Sequence, residues 1–290
     1  MSTQLTVTEA GWFTPTIRRV RFHSDDLSAF DGSSFTDRYV KLLFPKPGVD
    51  YPETLDLRAL RGTMPPEQLP DVRTYTALHP DTAAGTLTID FVVHGDTGVA
   101  GPWAAAAKPG DTLAVNGPGG AYRPDPGADW HLLAGDESAV PAIVAAVEAL
   151  PRDAVARVVL LVEREGTEPQ LDLPSRGTVE HLYRHAADGT DAPADALETA
   201  VRALEWPEGR VHAFVHGEAE EVMHGIRPYL LTERGLSRSQ VSISGYWRRG
   251  RTEEGFRQWK AELARAEAAA EAAPTETVQG QPGPTTGAAA

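Results

Sequence analysis

The stretch Trp130-His131-Leu132-Leu133-Ala134-Gly135-Asp136-Glu137-Ser138-Ala139-Val140-Pro141-Ala142-Ile143-Val144 reads as a buried strand, a tight turn and a helix. The apolar run ending at Gly135 is strand-length. After the turn, Val140, Ile143, Val144, Val147 and Leu150 recur at helical spacing on one face, and Pro151 ends the helix. Downstream, the same alternation continues. Arg157–Glu163 is an almost uninterrupted apolar strand, Thr178–Tyr183 a third, Val211–Val215 a fourth and Gln240–Ser244 a fifth; Ala194–Leu204 and Glu218–Thr232 read as helices, the second despite Pro228. Strands apolar on both faces that alternate with helices require a parallel sheet.

Upstream the period changes from helical to two. Thr16–Phe22 alternates, and so does Thr86–Val93, with Leu87, Ile89, Phe91 and Val93 on one face; Arg38–Phe44 and Asp111–Val115 are shorter strands, and Pro and Gly clusters separate them. Short strands without strong helices predict a closed antiparallel barrel. The fold class is thus a β-barrel followed by an α/β domain. The expected boundaries are 1–128 for the barrel, 129–265 for the α/β domain with a C-terminal helix, and 266–290 for a low-complexity, disordered tail. In the C-terminal helix Thr252 is the expected cap, and Phe256, Trp259 and Leu263 form one stripe.

Composition narrows the chemistry. Among 290 residues, 41 are acidic and 27 basic, a net charge of −14, which disfavours nucleic acid and anionic membranes as partners. The absence of cysteine excludes disulfides, thiolate nucleophiles and Cys-ligated metal centres, so redox work would require a bound cofactor. The nine histidines show no metal-ligand spacing, and no metal site is expected; His181 and His212, on apolar strands, read as packed core residues. No secretory leader or apolar span is visible, so the expected location is the cytoplasm, with no membrane insertion.

Four clusters carry possible chemistry. Arg73-Thr74-Tyr75-Thr76 sits on a strand, with Arg73 and Tyr75 on one face: a fork for phosphate and a flat ring for stacking, or simply a strand with an exposed Arg and a half-buried Tyr. His94-Gly95, followed by Gly101-Pro102-Trp103-Ala104, ends a strand and opens a short helix. Its free N–H groups suit a pyrophosphate, or else the loop is glycine-rich packing with Trp103 as a core plug. Gly135–Ala142 occupies the turn where open α/β sheets bind nucleotides, although it lacks the G-x-G-x-x-G spacing; Asp136 or Ser138 could equally cap the helix. Gly245-Tyr246-Trp247-Arg248-Arg249-Gly250 follows the last strand at the same sheet edge, as a stacking platform or as an anchor for the terminal helix.

The order of Arg73-x-Tyr75-Thr76, His94-Gly95, Gly101-Pro102-Trp103-Ala104, Pro109-Gly110-Asp111, Gly117-Pro118-x-Gly120, Gly135–Ala142, His216-Gly217-Glu218 and Gly245–Gly250 resembles that of siderophore-interacting proteins. These are flavin-dependent ferric-siderophore reductases of the ferredoxin–NADP reductase-like superfamily. The resemblance, over roughly residues 5–262, implies a six-stranded barrel that binds FAD and a five-stranded parallel sheet for NADPH or NADH. It implies Tyr75 on the isoalloxazine, Thr76 near its N5 and Arg73 on the pyrophosphate. Thr74 is carried with that motif, His94 and Gly95 line the flavin, and Gly101, Pro102, Trp103 and Ala104 face its phosphates. Asp136 and Ser138 border the adenine or the incoming nucleotide, and Tyr246 and Trp247 the ring's other face. Lys41, Arg248, Arg249 and Arg251 are the substrate candidates. Where the family often has a second arginine, two residues after the threonine, this chain has Leu78, and Ser138 replaces a common threonine.

The implied reaction is hydride transfer from NAD(P)H to flavin N5, then single electrons to the Fe(III) of a ferric siderophore, whose hard oxygen donors hold Fe(II) less tightly. Arg164 suits a 2′-phosphate and Glu163 ribose hydroxyls, so the donor stays open, and some relatives use ferredoxin instead. Two other readings remain: a general flavin or electron-transfer reductase on the same scaffold, and a non-enzymatic siderophore-binding protein with a degenerate flavin site.

Overall fold

A computed structural model describes residues 2–251 together with Gly255, Phe256, Trp259 and Arg265. In chain order the elements are β1 (Thr3–Thr14), β2 (Ile17–His23), β3 (Tyr39–Phe44), α1 (Leu57–Thr63), β4 (Asp71–Asp81), β5 (Thr86–Val92), α2 (Ala100–Ala106) and β6 (Thr112–Gly119). They continue with β7 (Trp130–Asp136), α3 (Val140–Glu148), β8 (Val155–Val162), β9 (Arg176–Tyr183), α4 (Ala196–Ala203), β10 (Val211–Glu218) and β11 (Val241–Trp247).

The first six strands close into a barrel in the order β1-β2-β5-β4-β3-β6. Closure leaves no unpaired edge, and β1 supplies it by pairing with β6 from Thr3↔Val115 to Thr6↔Thr112. The sequence pattern missed β1 because its alternation breaks at register shifts between Val7 and Glu9 and between Trp12 and Thr14. Inside, every second residue is buried: Val20 and Phe22, Val40 and Leu42, Leu87, Ile89 and Phe91, Leu113 and Val115. α1 was also missed; Asp56 caps it by accepting the Arg58 and Ala59 N–H groups.

The second layer is a five-stranded sheet in the order β11-β10-β7-β8-β9, with every neighbouring pair parallel. Counted within the sheet this is 3-2-1-4-5, so the direction of winding reverses between β7 and β10. Both faces are covered. On one, Leu133, Val158, Leu160 and Phe214 pack with Ile143 and Val147 of α3. On the other, Leu132, Val159 and Val215 pack with Val201 of α4 and with Ile226 and Leu230.

The helix expected at 218–232 is present, starting just after β10 and wound largely with wide turns. β10 runs on to Glu218, which pairs with Trp247 of β11, and two wide-turned π segments follow, Glu221–Ile226 and Tyr229–Glu233. Pro228, between them, has helical φ and ψ of −59° and −40°, so the helix runs through it although it has no N–H to donate.

The two layers share contacts. Ile17, Phe13 and Tyr122 pack into the α3-side core, and Asp37, just before β3, accepts the Ala121 and Tyr122 N–H groups at 2.9 Å each. Phe256 and Trp259 stack with centroids 5.7 Å apart, as one stripe would place them. Thr252, Leu263 and the tail at 266–290 lie outside the described residues. Among the described residues no helix is long and apolar enough to cross a membrane, and no group of three His, Asp or Glu residues could hold a metal.

Candidate functional site

The site builds from β4. Its period-two geometry places Arg73, Tyr75 and Ala77 on the barrel-facing side and leaves Thr74 exposed; Thr76 is buried. Tyr75 is half-buried, its ring 4.6 Å from that of Phe91. One Arg73 nitrogen donates to its neighbour's carbonyl, Val72 O, at 2.9 Å. Antiparallel register sets Tyr39 of β3 opposite Thr76. Tyr39 and Phe35 are among the few large apolar side chains left exposed, at 38% and 39%. Neither was singled out from the sequence, because local pattern does not say which aromatic side chains stay exposed once the barrel has closed. Leu78 is fully buried, so that position contributes packing alone.

Beyond β5, His94 and Gly95 are exposed, and Gly95 has φ +55°, a turn that glycine adopts without strain. α2 begins at Ala100, two residues before Pro102. Trp103 turns inward: its ring lies 5.7 Å from Phe91, 6.0 Å from Phe44 and 6.3 Å from Phe22. It plugs the barrel while staying partly buried. Ala104 is buried behind it.

Across from the barrel lies the carboxyl edge of the sheet. Asp136 ends β7 and is 2% exposed. Its Oδ1 accepts from the Ser138 N–H at 3.0 Å and from the Ser138 hydroxyl. Its Oδ2 accepts from the Glu218 N–H at 3.0 Å and from Trp247 Nε1 at 2.7 Å, and Arg184 Nη2 stands at 3.4 Å. Neither Asp136 nor Ser138 caps α3, whose first flanking residue is Ala139; Ser138 is spent on the turn. Arg184 also reaches Glu137 at 3.3 Å and lies 5.6 Å from the Trp247 ring centroid. No local motif announces Arg184, since its partners lie 47 and 48 positions upstream.

Tyr246 joins the two faces. Its ring makes an edge contact with His216 at 4.7 Å. Burial holds its hydroxyl well above the ordinary phenol range, and the nearby Asp37, Tyr39 and Asp136 add to that. Tyr246 packs with Phe13 of β1, Ile17 of β2 and Tyr122 into the core on the α3 side of the sheet. Of the basic candidates, Lys41 is exposed on β3 opposite Thr74. Arg248 pairs with Glu220, Arg249 donates its backbone N–H to Glu218 at 3.0 Å, and Arg251 is exposed. His212 is structural, as expected: its Nδ1 accepts the Asp125 N–H at 3.0 Å and its ring stacks on Tyr122.

The edge is rich in buried acid. Burial pushes Glu137 up to about 7, against the pull of Arg184 and with the push of Asp136 and Glu163. Burial likewise raises Glu221 to about 7. An acid whose folded pKa is raised stabilises the fold fully below its unfolded value near 4.5, and that contribution is lost as pH rises through 7. Glu221→Gln keeps an acceptor for the Glu198 N–H, bonded at 3.0 Å. The variant is expected to be more stable than the parent by about 2–3 kcal/mol at pH 8 and by about zero near pH 4.5. Urea denaturation across that range checks it; a pH-independent difference would contradict it.

Comparison with known proteins rests on the same two halves. Residues 6–122 match the family described as the siderophore-interacting FAD-binding domain, and residues 128–250 match that described as siderophore-interacting protein. The chain belongs to the siderophore-interacting protein family. An uncharacterized protein of Mycobacterium tuberculosis is 49% identical over 268 residues, 88% of this chain and 93% of that one. The ferric vibriobactin reductase of Vibrio cholerae is 34% identical over 245 residues, 83% of this siderophore-interacting protein and 87% of the reductase. The crystal structure of a siderophore utilization protein from T. fusca superposes with a TM-score of 0.71 at 36% identity, covering 87% of this chain and 94% of that one.

Proposed function

We propose that this siderophore-interacting protein is a cytoplasmic FAD-dependent oxidoreductase that reduces a ferric siderophore with electrons from a nicotinamide nucleotide. In this reading the barrel at 1–128 holds the flavin and the sheet at 129–265 receives the donor. The observation that carries it is the end of β11, where Tyr246 packs into the same core as Phe13 of β1 and Ile17 of β2 while its neighbour Trp247 bonds Asp136 at the switch point of the sheet. A flat cofactor held along β4 would then face a nucleotide held at β7 and β10.

The side chains present suit FAD. Arg73 offers a guanidinium to an anionic pyrophosphate, Tyr75 and the exposed Tyr39 offer flat faces to a ring, and Thr76 offers a hydroxyl to a ring heteroatom. Thr74, His94 and Gly95 would line the ring's rim. The backbone of Gly101, Pro102, Trp103 and Ala104 would approach the phosphates, and Asp136 and Ser138 would shape the turn beneath the nucleotide. Tyr246 and Trp247 would close the ring's second face and keep water from it. Lys41, Arg248, Arg249 and Arg251 are the cations available to an anionic ferric chelate. When bound, the flavin supplies hydride acceptance and one-electron donation; the ferric siderophore is the substrate, and reduction weakens its hard-oxygen grip on iron.

The visible spectrum of the purified protein tests this directly. FAD is expected to bind, to bleach on anaerobic addition of a nicotinamide nucleotide and to recover on addition of a ferric siderophore. A protein that binds no FAD overturns the reading. Recovery with dyes or free flavin but not with a ferric siderophore would favour the general reductase instead. Arg73→Ala is expected to weaken FAD binding by about 1.5–3 kcal/mol, the cost of a charge-assisted contact. A titration showing unchanged affinity would remove Arg73 from the phosphate site.

A further inference from the structure

We infer that the sheet half selects the nicotinamide dinucleotide with free adenosine-ribose hydroxyls, NADH, over its 2′-phosphorylated counterpart, with Glu163 as the ribose acceptor. This rests on the reading above that a nicotinamide nucleotide docks at the switch point. In a 3-2-1-4-5 parallel sheet the adenosine ribose lies beyond the carboxyl end of the second strand, where an acidic side chain accepts from the hydroxyls or a basic one meets a 2′-phosphate. Here the second strand is β8, which ends at Val162, and Glu163 follows at once.

The charges around that position decide between the two donors. Glu163 remains partly accessible, at 22% of its side chain. The basic side chains near it are committed. Arg184, just past the end of β9, is spent inside the fold on Asp136 and Glu137 at 3.4 and 3.3 Å, with only 17% of its side chain exposed. His185 Nε2 lies 3.6 Å from Glu163, while its Nδ1 is held by Asp191 at 2.6 Å. Glu137, across from Glu163, is 3% exposed, and its Oε1 has no partner among the described residues. That leaves Arg164, which is exposed but stands between Glu163 and Glu165. Its backbone is fixed in a turn: Thr167 Oγ1 accepts the Arg164 N–H at 3.2 Å, and Thr167 donates back to the Arg164 carbonyl. A 2′-phosphate, carrying about −1.5 to −2 at neutral pH like other phosphate monoesters, would enter a field of carboxylates with one exposed guanidinium. A ribose diol is neutral and donates, which is what a carboxylate receives best.

Equilibrium titration of the FAD-loaded full chain with NAD⁺ and NADP⁺ tests the inference without turnover, and stopped-flow reduction by NADH and NADPH repeats it with chemistry. NAD⁺ is expected to bind at least tenfold tighter than NADP⁺. Glu163→Ala is expected to erase most of that ratio by weakening NAD⁺, whereas Arg164→Ala, which removes the one cation open to a 2′-phosphate, does not lower it. Tighter binding of NADP⁺, or a ratio that Glu163→Ala does not move, overturns the inference and leaves the nicotinamide reading standing. A flavin-loaded chain that neither binds nor is reduced by either nucleotide overturns both.

Discussion

Asp136→Ala is expected to cost about 3–5 kcal/mol of stability and to free the Trp247 indole. The carboxylate is 2% exposed and is the shared acceptor of the Ser138 N–H and hydroxyl, the Glu218 N–H and Trp247 Nε1. Removing it strands buried donors, each costing about 1–3 kcal/mol with incomplete additivity, and leaves Arg184 with Glu137 as its remaining near carboxylate at this edge. Asp136→Asn separates the parts. Its amide oxygen can still serve the Ser138 turn, but its NH₂ then confronts the Trp247 and Glu218 donors, so roughly half the loss is expected. Urea denaturation measures the stability, and indole emission compared with Trp247→Phe reports the freed ring. An alanine variant within 1 kcal/mol of the parent would show that the carboxylate is not the organiser of this edge.

Gly135→Ala is expected to be nearly as damaging, by about 3 kcal/mol or more, although it adds one methyl group. A Cβ at Gly135 would lie 2.4 Å from the His216 carbonyl oxygen and 2.6 Å from the Ala139 Cβ. The first obstacle is backbone of β10, the ladder partner of β7, with Gly135 paired to His216. On its other side Gly135 pairs with Leu160 of β8. Neither strand can retreat without breaking the sheet, so overpacking here exceeds the usual 1–3 kcal/mol of a core methylene. Gly166→Ala is the control, since its Cβ would meet nothing within 4 Å, although its φ of +86° still carries a modest strain cost. A Gly135→Ala protein with the parent's denaturation midpoint would refute the close approach.

The two architectures were legible because each is a matter of local period. Leu87, Ile89 and Phe91 alternate, and Val140, Ile143, Val144 and Val147 recur by three and four; these rules need no knowledge of distant residues. The order of the motifs, from Arg73-x-Tyr75-Thr76 to Gly245–Gly250, was likewise in the chain itself and led to the family. Where the local signal was weak the reading fell short: the bulged β1 was not singled out, and the helix through Pro228 was read without its wide π turns.

Tertiary structure alone decided how the side chains of those motifs are spent. Trp103, open to two readings, became a barrel plug because α2 docks over Phe22, Phe44 and Phe91. Asp136, read as a ligand or a cap, became a hub because sheet order sets β7 beside β10 and β10 beside β11, bringing Trp247 to it across 111 positions. Arg184 was consumed by the same carboxylate and by Glu137, so its charge is spent inside the fold. The physical reason is one of range. Burial pattern and turn chemistry act over a few residues and are written in sequence. A buried hydrogen-bond partner is chosen by strand order and register, which exist only once the chain has closed on itself.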